Sequence, residues 1–199
     1  MAIVVVGGQT RNIGKTSVIA AIIAALPQMN WTAFKVTQHQ HGNSAAFDAE
    51  VSITEESNSS GTTDTARFLR AGAVRSFLVQ IEPGKMALAL PRILQELAAA
   101  ENAIFESNSI LHVLKADLYL SILDAKITDC KSSTLEFIDR ADAILRSGPE
   151  NKNIERWPEP QRQSIRQKPQ FPVNPPNFMS PELKKFITER LPGIASARS

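Results

Sequence analysis

One stretch near the N-terminus decides the fold: AIVVVGGQTRNIGKTSVIAAIIAAL, residues 2–26. Its first part, residues 3–6, is a short β-branched apolar run, which is typical of a strand buried on both faces of a parallel sheet. Its last part, residues 14–26, is rich in Ala and Ile and predicts a helix that ends before Pro27. A strand, a glycine-bearing turn and a helix are therefore expected in that order.

The turn, GGQTRNIGKTS at residues 7–17, ends like a phosphate-binding loop. A phosphate site needs backbone N–H groups that point inward, beside a helix N-terminus with its partial positive charge. Here Gly14 opens the helix and Lys15 is able to reach the β- and γ-phosphates of a nucleotide. Thr16 or Ser17 offers a hydroxyl ligand for Mg²⁺. The turn thus predicts a site for Mg²⁺ and a nucleoside triphosphate, GTP or ATP.

The loop is one residue longer than the common pattern G-x-x-x-x-G-K-[ST]. That pattern would place a glycine at Gln9, whereas the nearest usable glycine is Gly8. We interpret Gly8 and Gly14 as the two ends of the loop, with Gly7 and Gly8 allowing the turn out of the strand. The residues whose backbone amides and polar side chains are then expected at the phosphates are Thr10, Arg11, Asn12 and Ile13.

Strand and helix patterns alternate through the next part of the chain. Strands are predicted at residues 32–37, 76–81, 103–105, 118–123 and 143–145, and helices at residues 63–71, 85–100 and 132–139. The polar segment between residues 38 and 61 is expected to be a loop with at most a small hairpin around VSIT. This order predicts an α/β fold, the P-loop NTPase three-layer fold with a mostly parallel sheet and helices on both faces.

Polar segments follow several of these strands, where open α/β sheets bind their ligands. Residues 7–17, 35–41 and 106–108 are therefore expected to gather at one sheet edge. Glu106, at the end of its strand, is placed to hold Mg²⁺ or to orient a water near the γ-phosphate, unless it is a plain surface acid. His39 and His41 could ligate a metal or bind a phosphate. The metal site is the weaker case, because two histidines without a third ligand at fixed spacing rarely make one.

The order of motifs beyond the loop resembles the molybdopterin-guanine dinucleotide biosynthesis protein B family. The matching segments are KVTQHQHG (residues 35–42), TDTARFLRAGA (63–73) and IFESN (104–108). The family carries K-H-x-H-H at a strand end, K-D-S-x-x-x-x-x-A-G-A on a helix and an acidic strand end, V-E-G-F. The match runs from about residue 3 to about residue 110, and SPELKKFITERL is similar to the family's closing helix.

The departures from that pattern indicate a divergent member. Thr37 stands in place of the first histidine, Gln40 interrupts the histidine pair, and Ser107 and Asn108 replace Gly-Phe. The longer loop is similar to that of dethiobiotin synthetases. The KGG start of the MinD-like dimeric ATPases is absent, because Val6 precedes the glycine pair. A MinD-like enzyme is thus less expected, although a homodimer stays open.

The resemblance implies a function and a set of roles. In the family, GTP binding accompanies delivery or assembly of the molybdenum cofactor, so the second ligand would be that cofactor or a partner protein. The implied catalytic residues are Lys15, Asp64 and Glu106, and the implied metal ligands are Thr16, Asp64 and Glu106. The implied contacts with the second substrate are Lys35, His39 and His41. Asp64 would also suit the start of its helix for purely electrostatic reasons.

Two other functional classes stay open. One is an ATP-dependent ligase resembling dethiobiotin synthetase, in which Lys35 would bind a carbamate. The other is a nucleotide-gated adaptor without turnover, whose Pro-rich arm would dock a partner. Residues 150–153, ENKN, contain Asn-Lys but lack the Asp of the guanine-reading element, so ATP and GTP are not distinguished.

Composition sets the remaining expectations. The 199 residues carry 22 Lys and Arg against 20 Asp and Glu, which gives no electrostatic case for a nucleic acid or a membrane partner. The N-terminal apolar run is too short for a signal peptide, so a cytoplasmic location is expected. Nine of the 12 prolines lie between Pro149 and Pro192. Residues 1–148 are predicted to form the nucleotide-binding domain, and 149–199 a Pro-rich arm that wraps it or stays mobile and ends in one short helix.

Overall fold

The computed structural model describes residues 1–38, 50–124, 126–127, 129–148 and 157–191. This part of the chain forms one eight-stranded sheet covered by helices. The strands are β1 (Ile3–Gly8), β2 (Trp31–Gln38), β3 (Val51–Glu55), β4 (Arg75–Ile81), β5 (Asn102–Glu106), β6 (Leu118–Asp124), β7 (Ala143–Ser147) and β8 (Gln170–Pro172). The α-helices are α1 (Lys15–Ala25), α2 (Asp64–Arg70), α3 (Met86–Ala98), α4 (Ser132–Phe137), α5 (Gln161–Gln167) and α6 (Pro181–Arg190).

The strands lie in the order β3-β4-β2-β5-β1-β6-β7-β8. All neighbouring pairs are parallel except β3–β4. The α/β fold class with a mostly parallel sheet is therefore confirmed. Because β1 lies between β5 and β6, the loop that follows β1 sits near the middle of the carboxyl edge of the sheet.

Alternation along β1 explains why its apolar run has no polar face. Val4 and Val6 belong to one apolar core and Val5 to the core on the opposite face. Strands covered on both faces are expected to be apolar throughout. The β1 segment thus fixes the centre of the sheet.

Two helical layers cover the sheet. Val18 of α1, Phe68 of α2 and Leu183 of α6 share the first core. The second core contains Ile93 of α3, Phe137 of α4 and Ile165 of α5. The sheet therefore lies between two layers of helices. Of the helices described, none has the length and apolar character needed to cross a bilayer.

Each strand and helix predicted within residues 1–148 is present, with ends shifted by two residues or fewer. The hairpin expected around VSIT is wrong. This segment is the single edge strand β3, which pairs antiparallel with β4, a strand that follows it only after α2. Its side chains are half-buried or exposed, so its hydrophobic pattern is too weak to reveal the partner strand.

The C-terminal segment contains more structure than its prolines suggest. Besides the expected final helix α6, it holds α5 and β8, which extends the sheet beside β7. Pro172 is tolerated because β8 is an edge strand, where a missing backbone donor disrupts no ladder. Phe171 of β8 packs against Phe186 of α6, with ring centroids 4.9 Å apart. The described part of the C-terminal segment thus shares the sheet and both cores with the strands and helices that precede it.

We expect Leu183→Ala to destabilise the protein by about 2–5 kcal/mol, as for other fully buried leucines. The reason is that Leu183 of α6 lies in the same core as β1 and α1. The matched control is Lys184→Ala, whose exposed side chain should change stability by less than about 0.5 kcal/mol. Urea unfolding measures both; equal stabilities for the two variants would mean that α6 folds independently of the sheet.

Candidate functional site

The loop after β1 ends at Gly14, whose backbone has a conformation that glycine adopts more readily than other residues. Gly14 is the N-cap of α1 with φ 98°, a left-handed conformation, and Asn12 also has a positive φ of 58°. No side chain caps α1, and its first turn contains no acid. Its first backbone N–H groups therefore have no partner from the helix or from a capping side chain and favour an anion.

Gly8 is held by an amide side chain from the end of the neighbouring strand. The Asn108 Oδ1 accepts from Gly8 N at 3.0 Å, and the Asn108 Nδ2 donates to Gly8 O at 3.0 Å. Thr134, at the start of α4, donates its hydroxyl to Gly8 O at 2.9 Å. These contacts lock the first end of the loop in place.

The two glycines before the loop serve a different purpose from the one expected. Gly7 and Gly8 both lie within β1, so neither makes the turn. A Cβ on Gly7 would lie 1.8 Å from Asn108 Oδ1 and 2.9 Å from the Tyr119 hydroxyl oxygen. Glycine is required there for close packing rather than for backbone freedom.

Gln9 explains why the loop is longer than the common pattern. Its backbone N–H still donates to Ile122 O of β6 at 2.9 Å, so strand pairing continues where the common pattern would turn. Its buried side chain accepts from Asp124 N at 3.1 Å and donates to Ile127 O at 2.8 Å. The glutamine thus ties the loop to the segment after β6.

The middle of the loop presents both apolar and polar groups. Ile13 is buried in the core, whereas Arg11 and Asn12 are exposed at the mouth of the loop. Thr10 offers its carbonyl to the Lys15 Nζ, at 3.0 Å. Ile13 therefore has only its backbone available for a ligand, and the phosphate contacts of Thr10, Arg11 and Asn12 stay a prediction.

Lys15, at the first position of α1, is the main positive charge of the loop. Burial lowers its pKa from 10.5 to about 8, with further lowering by Lys131 and Lys35, while Glu106 opposes the change. The folded protein thus holds this ammonium at a free-energy cost that an anionic ligand would relieve.

Four side chains from separate elements meet beside Lys15. The Lys35 Nζ donates to Asp64 Oδ2 at 2.7 Å and to Glu106 Oε1 at 2.5 Å. The Thr16 hydroxyl donates to Glu106 Oε2 at 2.7 Å. Thr16 and Glu106 are buried, and Lys35 is 19% exposed. Predicted metal ligands and the predicted substrate lysine thus lie in one network.

The register of the sheet explains part of this meeting. Lys35 of β2 pairs directly with Glu106 of β5, so their side chains leave the same face of neighbouring strands. Asp64 reaches them from the first position of α2, which Thr63 caps by accepting from Ala66 N. A strand register and a helix cap together bring the two carboxylates to one lysine.

Electrostatics keep Lys35 and Asp64 ionised. Burial alone would lower the pKa of Lys35, but Glu106 and Asp64 outweigh it and raise that pKa. Burial alone would raise the pKa of Asp64, but the bond from Lys35 outweighs it and the pKa is lowered. Lys35 is therefore charged and fully engaged with carboxylates, so it is not free to bind another anion in this arrangement.

Two cations near the loop were weakly signalled or missed by the sequence. For Arg67 the sequence favours a solvated helix face over a phosphate contact; in the structure it donates to the Ser17 hydroxyl at 2.9 Å and lies 3.6 Å from Asp64. Lys131 follows β6, donates its backbone N–H to Gln9 O at 3.0 Å, and lowers the pKa of Lys15. No motif marks Lys131, since it reaches the loop only through the fold.

The remaining predicted residues lie outside the described part of the chain. These are His39 and His41, together with the Asn-Lys segment at residues 150–153. Within the described ranges, no group of three or more His, Cys, Asp or Glu side chains is arranged to hold a metal. Any metal held by Thr16, Asp64 and Glu106 would therefore need further ligands from a bound molecule or water.

Comparison with known proteins places the fold. No protein-family model and no curated protein matches the sequence. The fold matches the "apo" form of LpxK from Aquifex aeolicus in complex with ATP, with TM-score 0.52, 16% identity, and coverage of 86% of this chain and 53% of LpxK. It also matches HypB from Helicobacter pylori in complex with nickel, with TM-score 0.53, 16% identity, and coverage of 94% of this chain and 85% of HypB. The chain spans about half the length of the LpxK chain, and at these identities the likeness shows the fold alone, which is P-loop NTPase-like.

Proposed function

We propose that this chain binds a nucleoside triphosphate, ATP or GTP, together with Mg²⁺ at the loop between Gly8 and Ser17, and hydrolyses it slowly. The observation that carries the proposal is one network beside Lys15, in which Asp64 and Glu106 both accept from the Lys35 ammonium and the Thr16 hydroxyl donates to Glu106. A glycine turn with no ligand to bind would not be expected to have carboxylates from two other elements, α2 and β5, beside its hydroxyl and lysine.

The loop is suited to a polyanion. The uncapped start of α1 offers backbone N–H groups, and Lys131 lies close enough to Lys15 to disfavour the charge on it. A triphosphate would relieve this repulsion and accept hydrogen bonds from the amides. The match to LpxK, whose structure contains ATP, supports a nucleotide as that polyanion.

The donor set fits Mg²⁺. Thr16, Asp64 and Glu106 supply only oxygen atoms, the ligands this ion prefers, and an ammonium group already lies between the two carboxylates. Proteins commonly hold Mg²⁺ with one or two carboxylates and leave the other positions to phosphates and water. When bound, Mg²⁺ would neutralise charge on the β- and γ-phosphates.

Hydrolysis would depend on Lys15, Asp64 and Glu106. Lys15 would stabilise charge on the phosphate oxygens, since its ammonium stands at the start of α1. Glu106 or Asp64 would accept a hydrogen bond from the attacking water and orient it. Neither carboxylate is free in the arrangement described above, because both hold Lys35, which is consistent with slow turnover.

The second substrate is proposed from the sequence resemblance. Its motifs support a role in molybdenum cofactor biosynthesis, in which Lys35, His39 and His41 would face the cofactor or a partner protein. The ligase alternative predicts stoichiometric ADP release that depends on a small acid or amine. The adaptor alternative predicts tight nucleotide binding without turnover.

A thermal-shift panel tests the proposal directly. ATP, GTP, ADP and GDP are each added with Mg²⁺ and with EDTA, and phosphate release is measured in parallel. A ligand at 100 times its Kd should stabilise the protein by about 2.7 kcal/mol, which corresponds to a rise in Tm of roughly 5–10 °C for a chain of this size. If no nucleotide raises the Tm, the proposal is overturned.

A further inference from the structure

The Lys35 ammonium lies where the proposed function would place a metal ion. It donates to Asp64 Oδ2 at 2.7 Å and to Glu106 Oε1 at 2.5 Å, while the other oxygen of Glu106 accepts from Thr16. These are the three side chains assigned to Mg²⁺. An ammonium and a divalent ion at the same oxygen atoms repel each other, so the two cations compete for them.

The backbone keeps Lys35 available for this position. Lys35 and Glu106 are register partners in neighbouring strands, so the lysine stays within reach of the carboxylate whenever β2 and β5 are paired. The side chain of Glu106 is only 3% exposed. A carboxylate buried to this extent needs a compensating cation, and Lys35 supplies it in the absence of metal.

We propose that Lys35 is a built-in substitute for the metal, which Mg²⁺ displaces when it enters with the nucleotide. The displaced ammonium then has no carboxylate partner and becomes an anion-binding group. An anionic second substrate would accordingly bind after the metal and nucleotide. This inference rests on the proposed function, and it adds an order of binding and an exchange of one cation for another.

A metal-rescue experiment tests the exchange without nucleotide or turnover. Lys35→Met leaves the buried Glu106 without its ammonium partner and Asp64 with only Arg67, so in metal-free buffer its Tm should fall by roughly 6–12 °C. Mn²⁺, used as the probe, should restore most of this loss. By electron paramagnetic resonance, Mn²⁺ should bind the variant at least about tenfold more tightly than the wild type, since no ammonium competes.

Two further variants separate occupancy of the site from general charge. Lys131→Met removes a nearby cation that bonds neither carboxylate, and should change Mn²⁺ affinity by less than about threefold. In Lys35→Met/Glu106→Gln, where a carboxylate is also neutralised, the rescue by Mn²⁺ should be lost. Equal gains in Mn²⁺ affinity for Lys35→Met and Lys131→Met would overturn the proposal.

A labelling experiment on the wild type covers the case in which Lys35→Met does not fold. Limited acetylation followed by peptide mass spectrometry reports how accessible the Lys35 amine is. Its reactivity should rise several-fold with Mg²⁺ and a non-hydrolysable triphosphate, compared with the triphosphate in EDTA. Unchanged reactivity, in protein that the thermal shift shows to be nucleotide-bound, would contradict the exchange. A protein that binds no nucleotide would instead refute the proposed function, and acetylation of Lys35 in the wild type with Mn²⁺ alone, compared with EDTA, would then decide the competition.

Discussion

Lys15→Met is expected to abolish the nucleotide-induced thermal shift and, without nucleotide, to raise the melting temperature. The first effect follows from the loss of charge-assisted hydrogen bonds to phosphate, which contribute about 1.5–3 kcal/mol each. Two such bonds correspond to a loss of affinity on the order of 100-fold or more. Isothermal titration with the triphosphate that stabilises the wild type measures it.

The second effect follows from the lowered pKa of Lys15. Because this pKa is about 8 in the folded protein and 10.5 for the free side chain, the folded state holds the proton less tightly. The charge therefore opposes folding below about pH 8, and the opposition fades as pH rises from about 8 to 10.5. A difference of this size corresponds to about 3 kcal/mol, of which the lost bond to Thr10 O removes about 1 kcal/mol.

Urea unfolding at pH 7 and at pH 9.5 checks the sign. The variant should be more stable than the wild type at pH 7, and the difference should shrink at pH 9.5. Lys184→Met is the matched control, since its exposed amine should affect neither nucleotide binding nor stability. A Lys15→Met protein that still binds nucleotide as the wild type does would place the phosphates elsewhere.

Gly7→Ala is expected to destabilise the protein by about 3 kcal/mol or more, through overpacking and disrupted hydrogen bonds. The new methyl group would overlap Asn108 Oδ1, and Asn108 could move only by releasing Gly8. For a chain of this length the Tm should fall by roughly 6–12 °C. Nucleotide affinity should also fall, because Gly8 is the first residue of the loop.

Gly84→Ala is the control for backbone strain. Gly84 has φ 81°, but nothing lies within 4 Å of the added Cβ, so only the left-handed conformation is penalised, by about 1 kcal/mol. In the double variant Gly7→Ala/Asn108→Ala the closest contact disappears, and the loss should be smaller than the sum of the two single losses. If Gly7→Ala is as stable as Gly84→Ala, the packing of Asn108 against Gly7 is looser than described.

Much of the fold was predictable because its signals are local. Three such signals are the apolar run of β1, the Ala- and Ile-rich helix α1 and the cap of α2. Each depends only on residues that are close together in the sequence. The edge strand β3 and the short elements α5 and β8 were not predicted. Their patterns are brief and partly polar, and they are stabilised mainly by strands distant in sequence.

The candidate site divides in a similar way. Lys15, Thr16, Asp64 and Glu106 were predicted from motifs, and the structure brings them together with Lys35. Their chemical roles stay predictions. Three residues that shape the loop had no sequence signal of their own, because each acts through a distant backbone: Gln9, Lys131 and Thr134.

By itself, the sequence determined the alternation of strands and helices, the position of the glycine-bearing loop after β1 and the identity of its charged residues. These follow from periodicity, glycine placement and spacing along a short piece of chain. Only the tertiary structure decided that Asn108 holds Gly8 across 100 residues of chain, and that Lys35 occupies the carboxylates assigned to the metal. Such contacts depend on strand order and register, which short-range patterns do not encode.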